Sequence, residues 1–140
     1  MSWVLPGDCS SMTRNSAHGR VLIVDDEPLI RWSLAETLGD AGYDVVEAGD
    51  GEGAMDAAAH DDAFDVVLLD FRLPDSNDLN LLSKLRSLAP DAQIVLMTAF
   101  GAPEVTRGAL ERGAYRVVSK PFEVGEMAAL VAEAAARRPA

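Results

Sequence analysis

Residues 21–28 read VLIVDDEP. Val21, Leu22, Ile23 and Val24 are apolar and mostly β-branched, the composition of a strand covered on both faces. Such a strand ends oddly here, in two adjacent carboxylates, Asp25 and Asp26. Their like charges repel, and each resists ionising beside an apolar interior. Either the pair is a solvated loop, or something positive is held against it.

Outward from this stretch, short apolar runs alternate with helical patterns from Arg20 onward. The strands are expected at Arg20–Asp25, Tyr43–Ala48, Phe64–Asp70, Gln93–Thr98 and Tyr115–Val118. The helices are expected at Pro28–Ala41, Glu52–His60, Leu79–Leu88, Pro103–Arg112 and Val124–Arg137. Pro28 suits a first helical position, and Gly42 and Gly113 suit the left-handed residue just past a helix end. Ile30, Leu34 and Leu38 recur four residues apart and form an inward stripe on the first helix. At 100° per residue, Trp32 points roughly 160° away from that stripe. The pattern is a single (βα)5 domain of the α/β class. Crossovers of this length require parallel strands, giving a doubly wound, flavodoxin-like, five-stranded sheet with helices on both faces. VLIV and FDVVLLD suit its central strands.

The bulk numbers bound the function. A chain of 140 residues makes one domain with a proper core. Its net charge of -11 disfavours direct contact with nucleic acid or anionic lipid and favours cations or proteins as partners. Cys9 is the single cysteine, so no internal disulfide forms. No apolar run is long enough to span a membrane. A cytoplasmic location is expected. Residues 1–18, rich in Ser, Gly and Asn, read as a disordered tail before a domain covering 19–138.

In an open parallel sheet, ligands bind beyond the carboxyl ends of the strands, where the winding reverses. Asp25 and Asp26 end the first strand and Asp70 the third, so three carboxylates converge on one hollow. A hard divalent cation answers them, and magnesium suits an all-oxygen set that leaves room for a phosphate. Thr98 ends the fourth strand and offers a hydroxyl; Lys120 follows the fifth and offers a flexible positive charge. Three carboxylates are then balanced by one divalent cation and one ammonium.

These residues carry a resemblance. VDDEP (24–28), LLDFRLPD (68–75), MTAFG (97–101) and GAYRVVSKPF (113–122) are similar to the motifs of the receiver domain of bacterial two-component response regulators. TAFGAPEV and GAYRVVSKPF are most similar to receivers of the enhancer-binding activator subgroup. The resemblance covers residues 19 to 137. It implies that Asp70 is the phosphoacceptor, with Mg2+ held by Asp26, Asp70 and the backbone carbonyl of Arg72, and by Asp25 through water. By the same resemblance Thr98 and Lys120 would bind the phosphoryl group. A sensor histidine kinase or phosphotransfer protein is the implied donor. The expected output, from a signal carried by the fourth helix, is the face of the fourth helix, fifth strand and fifth helix, used as a homodimer contact. The chemistry is self-catalysed transfer and loss of a phosphoryl group, not turnover by an enzyme. The resemblance also implies a cis Lys120–Pro121 bond. Two departures stand out. Val117 occupies the place of a usual aromatic, which directs the signal to movement of the fourth helix. Asp78 replaces a common glycine and is expected to cap the third helix.

Other classes fit less well. A magnesium phosphohydrolase with an Asp nucleophile would want an acid where Arg72 stands, and a lid domain. A flavin protein would want a small-residue phosphate loop in place of DDEP. A phosphorylation-independent pseudo-receiver would not need all five site residues. The sequence leaves open whether the chain acts alone or is the front of a longer regulator.

Overall fold

The computed structural model describes residues 19–60, 64–75, 79–99 and 103–137. The expected tail at 1–18 and the expected cap at Asp78 lie outside them. The elements run β1 Arg20–Val24, α1 Pro28–Asp40, β2 Asp44–Ala48, α2 Gly51–His60, β3 Val66–Asp70, α3 Asn80–Leu88, β4 Gln93–Thr98, α4 Pro103–Glu111, β5 Arg116–Ser119 and α5 Val124–Ala136. All strand pairs are parallel, and the order across the sheet is β2-β1-β3-β4-β5. Winding reverses between β1 and β3, as expected for the flavodoxin-like fold.

Alternation along the central strands divides the core in two. Leu22, Val24, Val67, Leu69, Ile94 and Leu96 face one side and pack with residues of α2, α3 and α4. Val21, Ile23, Val66, Leu68, Val95 and Met97 face the other and pack with Leu34 and Leu38 of α1 and Met127 and Val131 of α5. Strands covered on both faces lose the polar alternation of a surface sheet, which is why VLIV and VVLL read as unbroken apolar runs.

Element ends differ from the expected ones by one or two residues, and the hydrogen bonds explain most of it. Asp25 donates its N–H to the Ala48 carbonyl (3.1 Å) and Tyr115 to that of Ile94 (2.7 Å), so each still touches its neighbour outside the regular ladder. Helix α2 begins at Gly51 because its first N–H groups have acceptors: Asp75 Oδ1 takes Gly51, Asp75 Oδ2 takes Glu52, and Asp50 Oδ1 takes Gly53. Gly42 and Gly113 adopt φ of 101° and 98° after α1 and α4, the left-handed backbone expected of them.

Candidate functional site

The register of β1 against β3 pairs Val24 with Leu69, so the next residues, Asp25 and Asp70, emerge side by side at the strand ends. Asp25, Asp70 and Thr98 are buried, whereas Asp26 is exposed. One carboxylate oxygen from each of Asp25, Asp26 and Asp70 lies within 4.8 Å of the others. Asp25 folds back on its own turn, its Oδ1 accepting the Glu27 N–H at 2.9 Å. That local bond fixes the turn just ahead of α1, where Pro28 fills the first turn without needing an acceptor.

Strand β5 brings the positive charge. Thr98 pairs with Ser119, and the Lys120 N–H donates to the Thr98 carbonyl at 2.7 Å. The Lys120–Pro121 bond is cis, as expected. Lys120 Nζ lies 2.9 Å from Asp25 Oδ2, 3.3 Å from Asp70 Oδ2 and 3.3 Å from Glu27 Oε1. Lys120, 95 residues along the chain from Asp25, is thus one positive group held against the acids of VLIVDDEP.

Burial shapes the acidity of this group of side chains. Burial first, and then the negative charge of Asp25, push the Asp70 carboxyl up to about 6, against the opposing pull of Lys120 and the Arg72 N–H. For Lys120, burial works against the charged form. The hydrogen bond and charge of Asp25, followed by Asp70, outweigh it and raise the ammonium above its ordinary value. Asp70 is thus a carboxylate held near a cation but still short of positive charge.

That shortfall, and a donor set made only of oxygens, fit a hard divalent cation among Asp25, Asp26 and Asp70. Arg72 sits on the same loop and donates its N–H toward Asp70 Oδ1 at 3.4 Å. All five side chains singled out in the sequence lie at the carboxyl edge of the sheet. Three further contributors were not singled out. Glu27 is an additional anion on Lys120, so the expected balance of three carboxylates undercounts the acid by one. Asp75 ties the loop after Asp70 to the start of α2, and those N–H groups hold its carboxyl below the usual range. Arg31 donates to the Asp25 carbonyl. Glu27 and Asp75 lie inside the quoted motifs VDDEP and LLDFRLPD, which was the available signal. Nothing in spacing alone pointed to Arg31.

Beside the site, α1 exposes Leu29 and Trp32 to solvent at 73% and 59%, as the helical phase of Trp32 requires. A cleft of about 240 Å³ opens there, lined by Leu29, Ile30, Ser33, Lys120, Pro121 and Phe122 among others. No helix among the described residues is long and apolar enough to cross a membrane.

Comparison with known proteins agrees with this geometry. The family described as "Response regulator receiver domain" matches residues 21–132. The chain is 41% identical over 107 residues to the probable transcriptional regulatory protein TcrX of Mycobacterium tuberculosis, covering 76% of this chain and 45% of that one. It is 36% identical over 115 residues to the response regulator protein PilR of Pseudomonas aeruginosa, one of several similar enhancer-binding regulators, covering 82% of this chain and 26% of that one. The chain thus spans less than half of either relative. Among solved structures, it resembles a Burkholderia pseudomallei response regulator "with a phosphorylated aspartic acid, calcium ion and citrate". The TM-score is 0.75 at 29% identity, over 84% of this chain and 68% of that one. With the acid cluster, the lysine and the β2-β1-β3-β4-β5 sheet in place, the chain belongs to the receiver domain family of two-component response regulators.

Proposed function

We propose that Asp70 is the phosphoacceptor of this receiver, taking a phosphoryl group from a sensor histidine kinase or phosphotransfer protein. The observation that carries this is the buried Asp70 carboxylate at the end of β3, 3.3 Å from the Lys120 ammonium and beside Asp25 and Asp26, where Asp25 already has both oxygens engaged by the Glu27 N–H and Lys120. A carboxylate oxygen of Asp70 attacks phosphorus. The bond from phosphorus to the donor's imidazole nitrogen or acyl oxygen breaks, and the leaving group departs with the electron pair. Lys120 follows the negative charge onto the phosphoryl oxygens, and the Thr98 hydroxyl donates to them. Receiver domains hold magnesium in their acidic pocket, and Asp25, Asp26, Asp70 and the Arg72 carbonyl are the residues that would hold it here. Bound there, magnesium supplies positive charge against the phosphoryl oxygens. The Burkholderia relative, which carries both a phosphorylated aspartate and a divalent cation, supports the same pairing.

Receiver domains interact with histidine kinases or phosphotransfer proteins. Leu29 and Trp32, exposed beside the cleft that leads to Lys120, are the proposed docking face for the donor. The proposed output is the α4–β5–α5 face, acting as a homodimer contact. Leu110 is 49% exposed on α4, and Arg116 of β5 pairs with Glu133 of α5 at 3.0 Å, so the face offers apolar surface beside fixed charge. We place the protein in the cytoplasm and its output in contacts between proteins, without direct binding of nucleic acid.

Intact mass after incubation with acetyl phosphate and magnesium tests the proposal. One phosphoryl adduct per chain is expected, with none in Asp70→Asn. Trp32→Ala should label normally from acetyl phosphate while labelling slowly from the kinase. Steady release of phosphate at enzymatic rates without a stable adduct would point to the hydrolase reading instead.

A further inference from the structure

Asp25 and Asp26 are adjacent, yet their carboxylates are fixed by different means. Asp25 is buried and held through both oxygens, by the Glu27 N–H at 2.9 Å and by Lys120 at 2.9 Å. Asp26 is exposed, so its aim depends on the backbone that carries it. The peptide unit joining the two residues includes the Asp25 carbonyl. A turn about ψ of Asp25 that φ of Asp26 does not offset would move the Asp26 Cα and swing its carboxylate relative to Asp70, and the direction of the Asp25 carbonyl records that ψ.

Arg31 holds this peptide unit. Its Nη1 donates to the Asp25 carbonyl at 2.7 Å, a charge-assisted bond of short length. The side chain is itself anchored, because Nε donates to Glu47 Oε1 of β2 at 3.2 Å. Gly49 leaves room for the guanidinium: a Cβ there would stand 3.2 Å from Nη1. The backbone of Arg31 is fixed too, since its N–H bonds the Glu27 carbonyl at 3.0 Å in the first turn of α1. Arg31 therefore reaches back over that turn and ties helix α1, strand β2 and the acid pair to one another.

We infer that Arg31 is a positioning residue for the metal site, setting the direction of Asp26 through the Asp25–Asp26 peptide. The inference rests on the reading of Asp25, Asp26 and Asp70 as the magnesium ligands. Groups that orient a ligand without touching the metal commonly change metal affinity by about tenfold or more when lost. A side chain that only joined α1 to β2 would change stability and leave that affinity alone.

The test is the melting temperature of wild type, Arg31→Met and Arg31→Lys across a magnesium chloride series, with EDTA as the metal-free point. The dependence on concentration gives the dissociation constant, and the EDTA value reports stability separately. Arg31→Met keeps the aliphatic stem and should weaken magnesium about tenfold. Arg31→Lys, which retains one cationic donor, should fall between the two and covers the case in which the Met variant does not fold. At saturating magnesium the metal itself draws Asp26 into place, so acetyl phosphate labelling should return to the wild-type yield. A wild-type response to magnesium with an unchanged dissociation constant in the variants overturns the inference, whatever happens to the EDTA melting point. A wild-type protein indifferent to magnesium overturns the metal reading itself, and the inference with it.

Discussion

Asp70 is a residue whose own burial works against its charged form. Its carboxyl sits at about 6 in the fold and near 3.9 in an unfolded chain, so the folded state holds the proton more tightly. Below about pH 4 the group is protonated in both states and contributes no penalty. As pH rises from about 4 to about 6, ionisation costs the metal-free fold progressively more, and above that the cost is constant. Asp70→Asn should therefore stabilise the metal-free protein at pH 7 by about 1–2 kcal/mol. Two pK units set a ceiling of roughly 3, and Lys120 loses a partner. Denaturant unfolding in EDTA at pH 4 and pH 7 checks this: the gain should appear at pH 7 and shrink at pH 4. A destabilised variant at pH 7 would show that Asp70 is not strained in the free protein. At this scale the site was largely legible, because Asp25, Asp26, Asp70, Thr98 and Lys120 each sit at or just beyond a strand end. Position along a strand is something a sequence displays. Glu27 and Asp75 stood inside quoted motifs but their partners, Lys120 and the start of α2, did not show, and Arg31 on a carbonyl had no signal at all, since each contact depends on a distance between elements.

Among the elements, α4 is the one whose construction suits a change of position. Val105, Thr106 and Gly108 all lower its helix propensity, Gly108 by about 1 kcal/mol relative to Ala. Propensity is only part of the reason for the glycine. A Cβ at residue 108 would stand 2.8 Å from Leu79 Cδ1, so the glycine also lets α4 close on the residue before α3. Leu79, Val105 and Val117 pack partly buried against the same core cluster. The small Val117 thus faces the α4 side of the sheet, which supports transmission by movement of α4 over the turning of an aromatic ring. Gly108→Ala should gain helix propensity and displace the flexible end of Leu79, leaving net stability within about 0.5 kcal/mol of wild type. Hydrogen exchange with beryllofluoride, a phosphoryl mimic, should change most across α4 and its flanks, and Gly108→Ala should damp the change. Changes confined to the neighbourhood of Asp70 would refute this mechanism. The identities of the ten elements were legible from periodicity, and their ends were less so. Tyr115 and Asp25 make one ladder bond each outside their strands, which no apolar pattern distinguishes from strand membership.

For the whole molecule, the sheet places the site at one edge, and the two cores on its opposite faces place different helices on each side. Helices α1 and α5 share one core and α2, α3 and α4 the other, and β5 is an edge strand between α4 and α5. The proposed donor face on α1 and the proposed readout face at α4–β5–α5 both border the strand ends, and they meet at the cleft where Leu29 and Ile30 of α1 face Phe122 and Val124 at the start of α5. The acceptor itself is the central claim, and all of this arrangement converges on one carboxylate. Borohydride reduction after labelling with acetyl phosphate and magnesium converts an aspartyl phosphate to homoserine, and peptide mass spectrometry locates it. The account predicts homoserine at residue 70 alone, absent without the phosphodonor. Homoserine at residue 25 or 26, or at no aspartate of the site, would contradict it.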